Sequence, residues 1–223
     1  MSTAGRGYAP EWAWSYEGGW KGAIRDGRSR FGVSAFVMDY TDLQVQTPIA
    51  PGVVDIRNAA AATIRGVEVE HTSRIGRGVE AGGHVTWLDA TYDRYLAVGL
   101  GGATGDVAGN RLNNAPVWAG RLWIEWSGNI GSTNRLAVVA DTTAQSTVFY
   151  TPFNDSIQRQ RPYGLLGARI EYGPGHRRWA LAAYARNLTN TDYVTATFGT
   201  PPTAFAGFPG LPRQFAVEFT LRR

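Results

Sequence analysis

Apolar and polar side chains alternate along most of the chain, and most clearly in its last stretch, Arg213–Arg223. One face of this stretch is apolar, with Phe215, Val217, Phe219 and Leu221. The other face is mainly polar, with Gln214, Ala216, Glu218, Thr220 and Arg222. A period of two is typical of a β-strand that has one apolar and one polar side.

The same alternation, broken by turn residues, predicts nine strands. They are residues Trp12–Ile24, Arg30–Gln46, Thr63–Arg74, Val79–Tyr92, Pro116–Ser127, Arg135–Tyr150, Tyr163–Tyr172, Arg178–Tyr193 and Arg213–Arg223. The phase of the fourth strand slips near Trp87 and Leu88, which indicates a bulge or a change of environment.

The predicted connections alternate between short and long. The short ones are Arg25–Ser29, Gly76–Gly78, Gly128–Thr133 and Gly173–Gly175, and the long ones are Pro48–Ala62, Asp93–Ala115, Thr151–Pro162 and Val194–Pro212. Membrane β-barrels have tight turns at one end and long loops at the other. Several predicted strands are also longer than globular strands, as a tilted membrane strand requires. We therefore expect an all-β, antiparallel, up-and-down transmembrane barrel.

The two predicted faces differ as lipid and a wet lumen would require. The lumen face accepts the charged side chains of Glu68, Glu70, Arg121, Glu125, Arg169, Glu171 and Glu218. Aromatic rings near strand ends could lie at the level of the lipid headgroups; these are Trp12, Trp14, Tyr40, Trp87, Tyr92, Trp118, Tyr172 and Trp179. Ordinary packing in a soluble β protein would give the same alternation.

Composition narrows the choice further. Of the 223 residues 43% are hydrophobic and 12% aromatic, yet no apolar run reaches the length of a transmembrane helix. The 28 Gly and 11 Pro supply many turns. The net charge of +4 is spread along the chain, with Lys21 the only lysine, and this does not form a nucleic-acid patch. The absence of cysteine excludes disulfides and thiol chemistry.

No catalytic, cofactor or metal site is predicted, and we expect no enzymatic activity. His71, His84 and His176 lack metal-ligand spacing. Gly99–Gly105 lacks the lysine and the helix of a phosphate-binding loop. Asn187–Thr189 fits a glycosylation sequon that matters only in a eukaryotic secretory protein. A further group offers oxygen atoms without the spacing of a calcium loop: Asp106, Asn110, Asn113 and Asn114.

Five segments resemble TonB-dependent outer-membrane receptors, in the order and approximate spacing of that family. Gly109-Asn-Arg-Leu-Asn-Asn-Ala-Pro-Val-Trp118 is similar to its loop-and-strand segment, and Ala185-Arg-Asn-Leu-Thr-Asn-Thr-Asp-Tyr193 to its penultimate-strand motif. The other three are Phe36–Val45, Ala62–Glu70 with its Arg-Gly-Val-Glu-x-Glu pattern, and Pro212–Phe215 before the last strand.

This resemblance implies a barrel of about 22 strands around a plug, which takes up siderophores or other scarce nutrients with energy supplied through TonB. The partners implied are outer-membrane lipid, the plug and the N-terminal barrel strands, TonB acting through the plug, and a small siderophore-like ligand; nucleic acid is not among them. The implied location is the outer membrane of a Gram-negative cell, with a periplasmic C-terminus and extracellular long loops.

The chain also departs from the family pattern. No plug, TonB box or signal peptide is recognisable in residues 1–223, and Arg223 stands where an aromatic residue usually ends the barrel. We therefore expect residues 1–223 to be the C-terminal portion of a receptor barrel, with about nine of its strands, as a gene fragment, a product of a misplaced start codon or one part of a split gene. The alternatives are a passive pore or small barrel complete in itself, and a soluble β-sheet binding module.

The ligand-binding residues are not determined by the sequence. The long loops Pro48–Ala62, Asp93–Ala115, Thr151–Arg161 and Val194–Pro212 are the surfaces to test first. Their aromatic side chains could contact an aromatic or apolar ligand, or could pack the loops together; they are Tyr95, Phe153, Phe198, Phe205 and Phe208.

Overall fold

The fold is one antiparallel meander of nine strands, seen in a computed structural model that describes residues 7–50, 53–99, 102, 104–176, 178–200 and 204–222. Within these residues there is no helix, and so none that is long and apolar enough to cross a membrane. The meander consists of β1 (Trp12–Ile24), β2 (Ser29–Ala50), β3 (Val53–Gly76), β4 (Val79–Val98), β6 (Trp118–Ile130), β7 (Asn134–Gln145), β10 (Tyr163–Pro174), β11 (Trp179–Arg186) and β14 (Gln214–Leu221).

Every strand of the meander pairs with its neighbour in the sequence, and all nine predicted strands are confirmed. Among the described residues β1 and β14 are the two edges of the sheet and do not pair with each other, so the sheet is not closed into a ring. Because nine strands alternate in direction, β1 and β14 run the same way.

Five short strands lie between the strands of the meander, four of them in segments predicted as loops and one, β8, in the predicted strand Arg135–Tyr150. They are β5 (Thr104–Asp106), β8 (Val148–Phe149), β9 (Arg159–Gln160), β12 (Val194–Thr200) and β13 (Ala204–Pro209). β5 pairs with the end of β4, β8 with β9, and β12 with β13. The sequence did not reveal this pairing, because strands of two to seven residues show little alternation and lie among turn-forming residues.

The prediction that Pro48–Ala62 is a loop is wrong. The hairpin of β2 and β3 continues through this region, with Thr47 opposite Asp55 and Pro48 opposite Val54. Pro48 has no backbone N–H to donate. It is tolerated because, near the hairpin tip and beyond the main sheet, no further strand needs that donor. A register shift beside Asp42, which has a φ of 54°, marks where the hairpin departs from the regular sheet.

Two predicted strands end early, and one predicted irregularity lies elsewhere. β7 ends at Gln145, so Val148 and Phe149 belong to a separate strand. β11 ends at Arg186, because Asn187 takes a left-handed φ of 49° that no strand can continue. Of the two interpretations of the phase slip near Trp87, a bulge is absent there from the described pairing of β3 and β4; the register shifts opposite Tyr92 and Arg94.

The sheet therefore has two unlike ends. One end carries the short turns, at residues 25–28, 77–78 and 131–133 and between β10 and β11, and also the end of β14. We call the opposite end the rim; it comprises the described residues within 7–15, 38–64, 90–117, 146–162 and 187–213. The remaining strands and turns form the body. Of the nine buried apolar residues among those described, only Ala182 lies in the body.

Candidate functional site

One face of the body is polar and carries ion pairs within and between strands. Arg121 of β6 lies 3.4 Å from Asp141 of β7. Arg169 of β10 lies 3.0 Å from Glu171 on its own strand and 3.4 Å from Glu218 of β14. The pairing register places the predicted lumen residues on this one face. Side chains of opposite charge at this spacing compensate each other on a face that is exposed to water.

The polar face also carries a shallow groove between β6 and β14. Its volume is about 450 Å³, and Arg121, Asp141, Arg169, Tyr184 and Glu218 are among the residues that line it. The Arg169 guanidinium lies 6.0 Å from the centre of the Tyr184 ring, and that of Arg186 lies 5.5 Å from it. The groove is thus part of a wet, charged wall rather than an enclosed binding cavity.

The opposite face of the body is apolar. Its described strand positions include no Asp, Glu, Lys or Arg from the short turns up to the level of the Trp87–Trp118 pair. Large apolar side chains on this face are exposed, among them Trp20, Leu122, Ile124, Ile170, Leu181, Val217 and Phe219. His71 also lies on this face, opposite Gly83 and Phe31. A face so apolar and so exposed requires a partner other than water.

Aromatic rings lie towards both ends of the apolar face. Trp12, Trp14 and Trp118 are at the rim end, and Tyr172 and Trp179 are at the turn end with ring centres 6.1 Å apart. Tyr40 and Tyr92 were predicted to join these rings, and that prediction is wrong. Both lie in the register row of Ala62, which belongs to the other face, and Tyr92 is buried in the rim.

The rim contains a small hydrophobic core of its own. Its buried members are Ala60, Tyr92, Tyr95, Ala97 and Val107, and Leu43, Val45, Leu112 and Phe153 pack against them. Burial raises the pKa of the Tyr92 hydroxyl to about 12, and burial raises the pKa of Tyr95 as well. The rim connections are therefore folded against one another.

The segment Gly109–Trp118 is held against β4. Leu112 donates a backbone hydrogen bond to Ala90, and Gly109 donates one to Tyr92, at 3.0 and 2.7 Å. The Arg111 side chain donates to the Leu88 carbonyl at 2.7 Å, while its Nε is buried without a described partner. The resemblance motif thus anchors a long connection to the sheet.

Asn154 holds Arg111 from the next connection. Its Oδ1 accepts from the Arg111 backbone N–H at 2.8 Å, and its Nδ2 donates to the Arg111 carbonyl at 3.0 Å. We use the term asparagine clamp for this arrangement, in which one asparagine side chain bonds both the backbone N–H and the backbone carbonyl of another residue. Asn58 forms a second clamp, on Ala9, with both distances 2.8 Å.

The segment Ala185–Tyr193 contains a third clamp. Asn187 accepts from the Thr191 backbone N–H at 2.8 Å and donates to the Thr191 carbonyl at 2.9 Å. The same amide lies 3.1 Å from the Leu211 carbonyl, and Asn190 accepts from the Arg213 backbone N–H. The motif therefore joins the end of β11 to the start of β14.

The sequence did not reveal the roles of Asn58 and Asn154. Each is one of many asparagines in a turn-rich chain, and the clamped residues are 49 and 43 positions away. The left-handed φ of Asn154 (52°) is the feature that sets it apart locally, and asparagine is among the residues that adopt it most readily.

The aromatic residues proposed for ligand contact fall into different environments. Tyr95 and Phe153 belong to the rim core and so pack the loops. Phe208 of β13 is 55% exposed and remains available to a ligand. The side chains of Phe198 and Phe205 lie outside the described part of the structure.

The polar residues considered for metal or phosphate serve other contacts. Asp106 accepts from the backbone N–H of Ala108, and Asn110 donates to the Pro152 carbonyl. The described residues contain no group of three or more His, Cys, Asp or Glu that could hold a metal ion. The stretch Gly99–Gly105 lies partly outside the described residues.

Comparison with known proteins identifies the family. Residues 2–188 match the family model described as TonB dependent receptor-like, beta-barrel. Among solved structures, the chain superimposes on the ferric yersiniabactin uptake receptor FyuA from Yersinia pestis with a TM-score of 0.76 at 16% identity, covering 94% of this chain and 29% of that one.

Two further receptors share the fold. The siderophore receptor PiuA from Acinetobacter baumannii gives a TM-score of 0.71 at 18% identity, over 93% of this chain and 28% of that one. BauA, the ferric preacinetobactin receptor from the same organism, gives 0.69 at 18% identity, over 93% and 29%. The chain thus spans less than a third of the length of these receptors. The matched family and the open meander agree: this chain belongs to the TonB-dependent receptors, as part of their β-barrel domain.

Proposed function

We propose that the chain is part of an outer-membrane receptor that takes up a siderophore or another scarce nutrient with energy supplied through TonB. The observation that carries this proposal is the pairing of a charge-free apolar face with a charged polar face on one open antiparallel sheet. Lipid would cover the first face. Its lack of charge fits this, because an Arg or Lys at the bilayer centre costs about 2–4 kcal/mol. Water or a plug would meet the second.

The two open edges indicate what completes the barrel. Because β1 and β14 run in the same direction, an odd number of additional strands would close the ring with antiparallel pairs at both junctions. A second copy inserted in the same orientation would not do this, because its two edge strands would run in the same direction as β1 and β14 and would form parallel junctions, which are unusual in membrane barrels. We infer that residues 1–223 act together with further barrel strands and a plug in a longer receptor, in which they form the C-terminal portion.

The unequal ends support an orientation. Outer-membrane barrels have short periplasmic turns and long extracellular loops. By this rule the short turns and the C-terminus would face the periplasm, and the rim would face the outside of the cell. Exposed Phe208 and the other rim surfaces would then be the first to meet a ligand.

The location can be tested by separating the membranes of cells that express the chain. We expect it in the outer-membrane fraction, and we expect the DNA upstream of Met1 to encode a plug and further strands in the same frame. A folded monomer in detergent-free buffer would contradict the proposal.

The transport function can be tested separately by growth under iron limitation. Deletion of the gene should abolish uptake of at least one ferric siderophore from a panel, and a copy that encodes the whole receptor should restore it. Unchanged uptake of every compound would exclude a siderophore as the ligand while leaving the membrane location unaffected.

A further inference from the structure

The connection between β7 and β10 contacts both halves of the rim. We call residues Phe149–Gln160 the strap. On one side of it lies the first half of the rim, which comprises the hairpin of β2 and β3, the end of β4, β5 and residues 107–114. On the other side lies the second half, the hairpin of β12 and β13. Among the described strands, β12 and β13 contact only each other and β9.

The strap is fastened to the first half by backbone bonds and by one buried ring. Asn154 clamps Arg111, and the Asn114 backbone N–H donates to the Phe149 carbonyl at 2.9 Å. Phe153 packs against the rim core close to Gly105, where a Cβ would lie 3.1 Å from the ring. These contacts join the middle of the strap to residues that precede it by about 40 positions.

The strap is fastened to the second half through Val194, the first residue of β12. The Tyr150 hydroxyl donates to the Val194 carbonyl at 2.6 Å, and Gln160 Oε1 accepts from the Val194 N–H at 2.7 Å. Gln158 and Gln160 are only 7% and 8% exposed. Both backbone groups of Val194 are thus held by strap side chains, as both groups of Arg111 are held by Asn154.

The strap is also braced internally, so its two attachments cannot move freely relative to each other. Asp155 accepts from the backbone N–H groups of Ile157 and Gln158, at 2.9 and 2.7 Å, and from the Thr151 hydroxyl at 3.0 Å. The Tyr150 backbone N–H donates to the Gln158 carbonyl at 3.0 Å. Tyr150 and Gln160, which hold the second half, therefore lie in the same hydrogen-bonded loop as Asn154.

We propose that the strap couples the two halves of the rim, so that loosening one half releases the other although they do not touch through described strands. Such coupling requires an element, here the strap, that can adopt two arrangements and whose equilibrium is shifted by contacts on both sides. The coupling concerns the rim alone and does not depend on which ligand the receptor takes.

The test uses reporter cysteines in residues 1–223, which contain no cysteine of their own; any cysteine in the rest of the receptor is first replaced by serine. Ala196→Cys reports on the second half, and maleimide labelling is measured on the whole receptor polypeptide in detergent, so membrane orientation does not enter. Asn154→Ala should raise the labelling rate at this reporter by about 5-fold, the change in open population that follows from losing one or two hydrogen bonds.

Asn58→Ala is the matched control. It removes a clamp of the same chemistry, on Ala9, which lies outside the strap. Labelling of the Ala196→Cys reporter should stay at the reference rate in this variant. A milder change, Asn154→Asp, keeps the acceptor for the Arg111 N–H and should give an intermediate rate. A second reporter on the body, Thr86→Cys, should label equally in all variants and shows that the sheet is intact.

Coupling must act in both directions. Gln160→Ala removes the hydrogen bond to the Val194 N–H, which lies in the second half. This variant should nevertheless accelerate labelling of Ala97→Cys in the first half, a position that is 0% exposed. If Asn154→Ala leaves the Ala196→Cys reporter unchanged, or Gln160→Ala leaves the Ala97→Cys reporter unchanged, the halves are independent and the proposal is wrong.

Discussion

The body and the rim are both β structure, but different forces hold them. Both faces of the body are open, and almost no side chain in it is buried, so its sequence pattern reflects the difference between an apolar face and a polar face. The rim excludes water from a core around Tyr92 and Val107 and fixes its connections with asparagine clamps. Side-chain alternation thus dominates in the body, and contacts between residues distant in sequence dominate in the rim.

The largest effect is expected from a charge on the apolar face of the body. Leu122→Arg should lower the free energy of unfolding from lipid vesicles by about 2–4 kcal/mol, because Leu122 is exposed on that face. Thr86→Arg is the matched control on the polar face near Glu68 and should cost little. Equal costs in urea titrations followed by tryptophan fluorescence would show that the two faces do not meet different media.

In the rim, the largest effect is expected at Asn187, which is 5% exposed. Asn187→Ala removes three hydrogen bonds to backbone groups and should cost about 2–3 kcal/mol. Asn187→Asp keeps the bond from Thr191 N–H and should cost less than Asn187→Ala. Urea midpoints of the two variants measure this difference, and equal midpoints would mean that the bond accepted from the Thr191 N–H contributes nothing.

A glycine contact sharpens the comparison within the body. The Phe36 ring covers Gly66 on the neighbouring strand, where a Cβ would lie only 2.3 Å from the ring. Gly66→Ala should therefore cost about 1–3 kcal/mol through displacement of the ring. Gly18→Ala in β1 meets no atom within 4 Å and should be close to neutral. Thermal unfolding of the two variants distinguishes close packing from a general effect of alanine.

High pH should loosen the rim before the body. The pKa of Tyr92 is raised from 10.0 to about 12, so the folded rim retains a proton that the unfolded chain releases. Stability from this group is complete below pH 10 and is lost as the pH rises towards about 12. Absorbance at 295 nm should show the late-titrating group in the wild type and not in Tyr92→Phe. Its persistence in that variant would assign the raised pKa to another tyrosine.

The smallest effect is expected from a wet ion pair of the body. Glu218 lies 3.4 Å from Arg169, and their side chains are 49% and 34% exposed. Glu218→Gln should cost less than about 1 kcal/mol, and the cost should shrink at high salt. Urea titrations at two salt concentrations measure it; a larger, salt-independent loss would mean that water is excluded from this face.

The sequence predicted the body well and the rim poorly, for a physical reason. β1 has the predicted bounds, Trp12–Ile24, because the alternation of a strand between two media is a local property. Tyr92 was predicted at the end of a strand with its ring at the headgroup level, yet its burial depends on Val107, Leu43 and Phe153, which come from other connections. The side chain of Asn154 is likewise uninformative until Arg111 is brought beside it.

Local sequence patterns were therefore enough to predict the nine meander strands, their two faces, the sites of the short turns and the family. Each of these follows from periodicity or motifs within about ten residues. The tertiary structure alone decided that the long connections form a folded rim, that β2 and β3 extend through Pro48, and that Tyr95 packs rather than faces a ligand. The folded rim depends on groups that meet across more than 40 residues, and no local pattern encodes such a meeting.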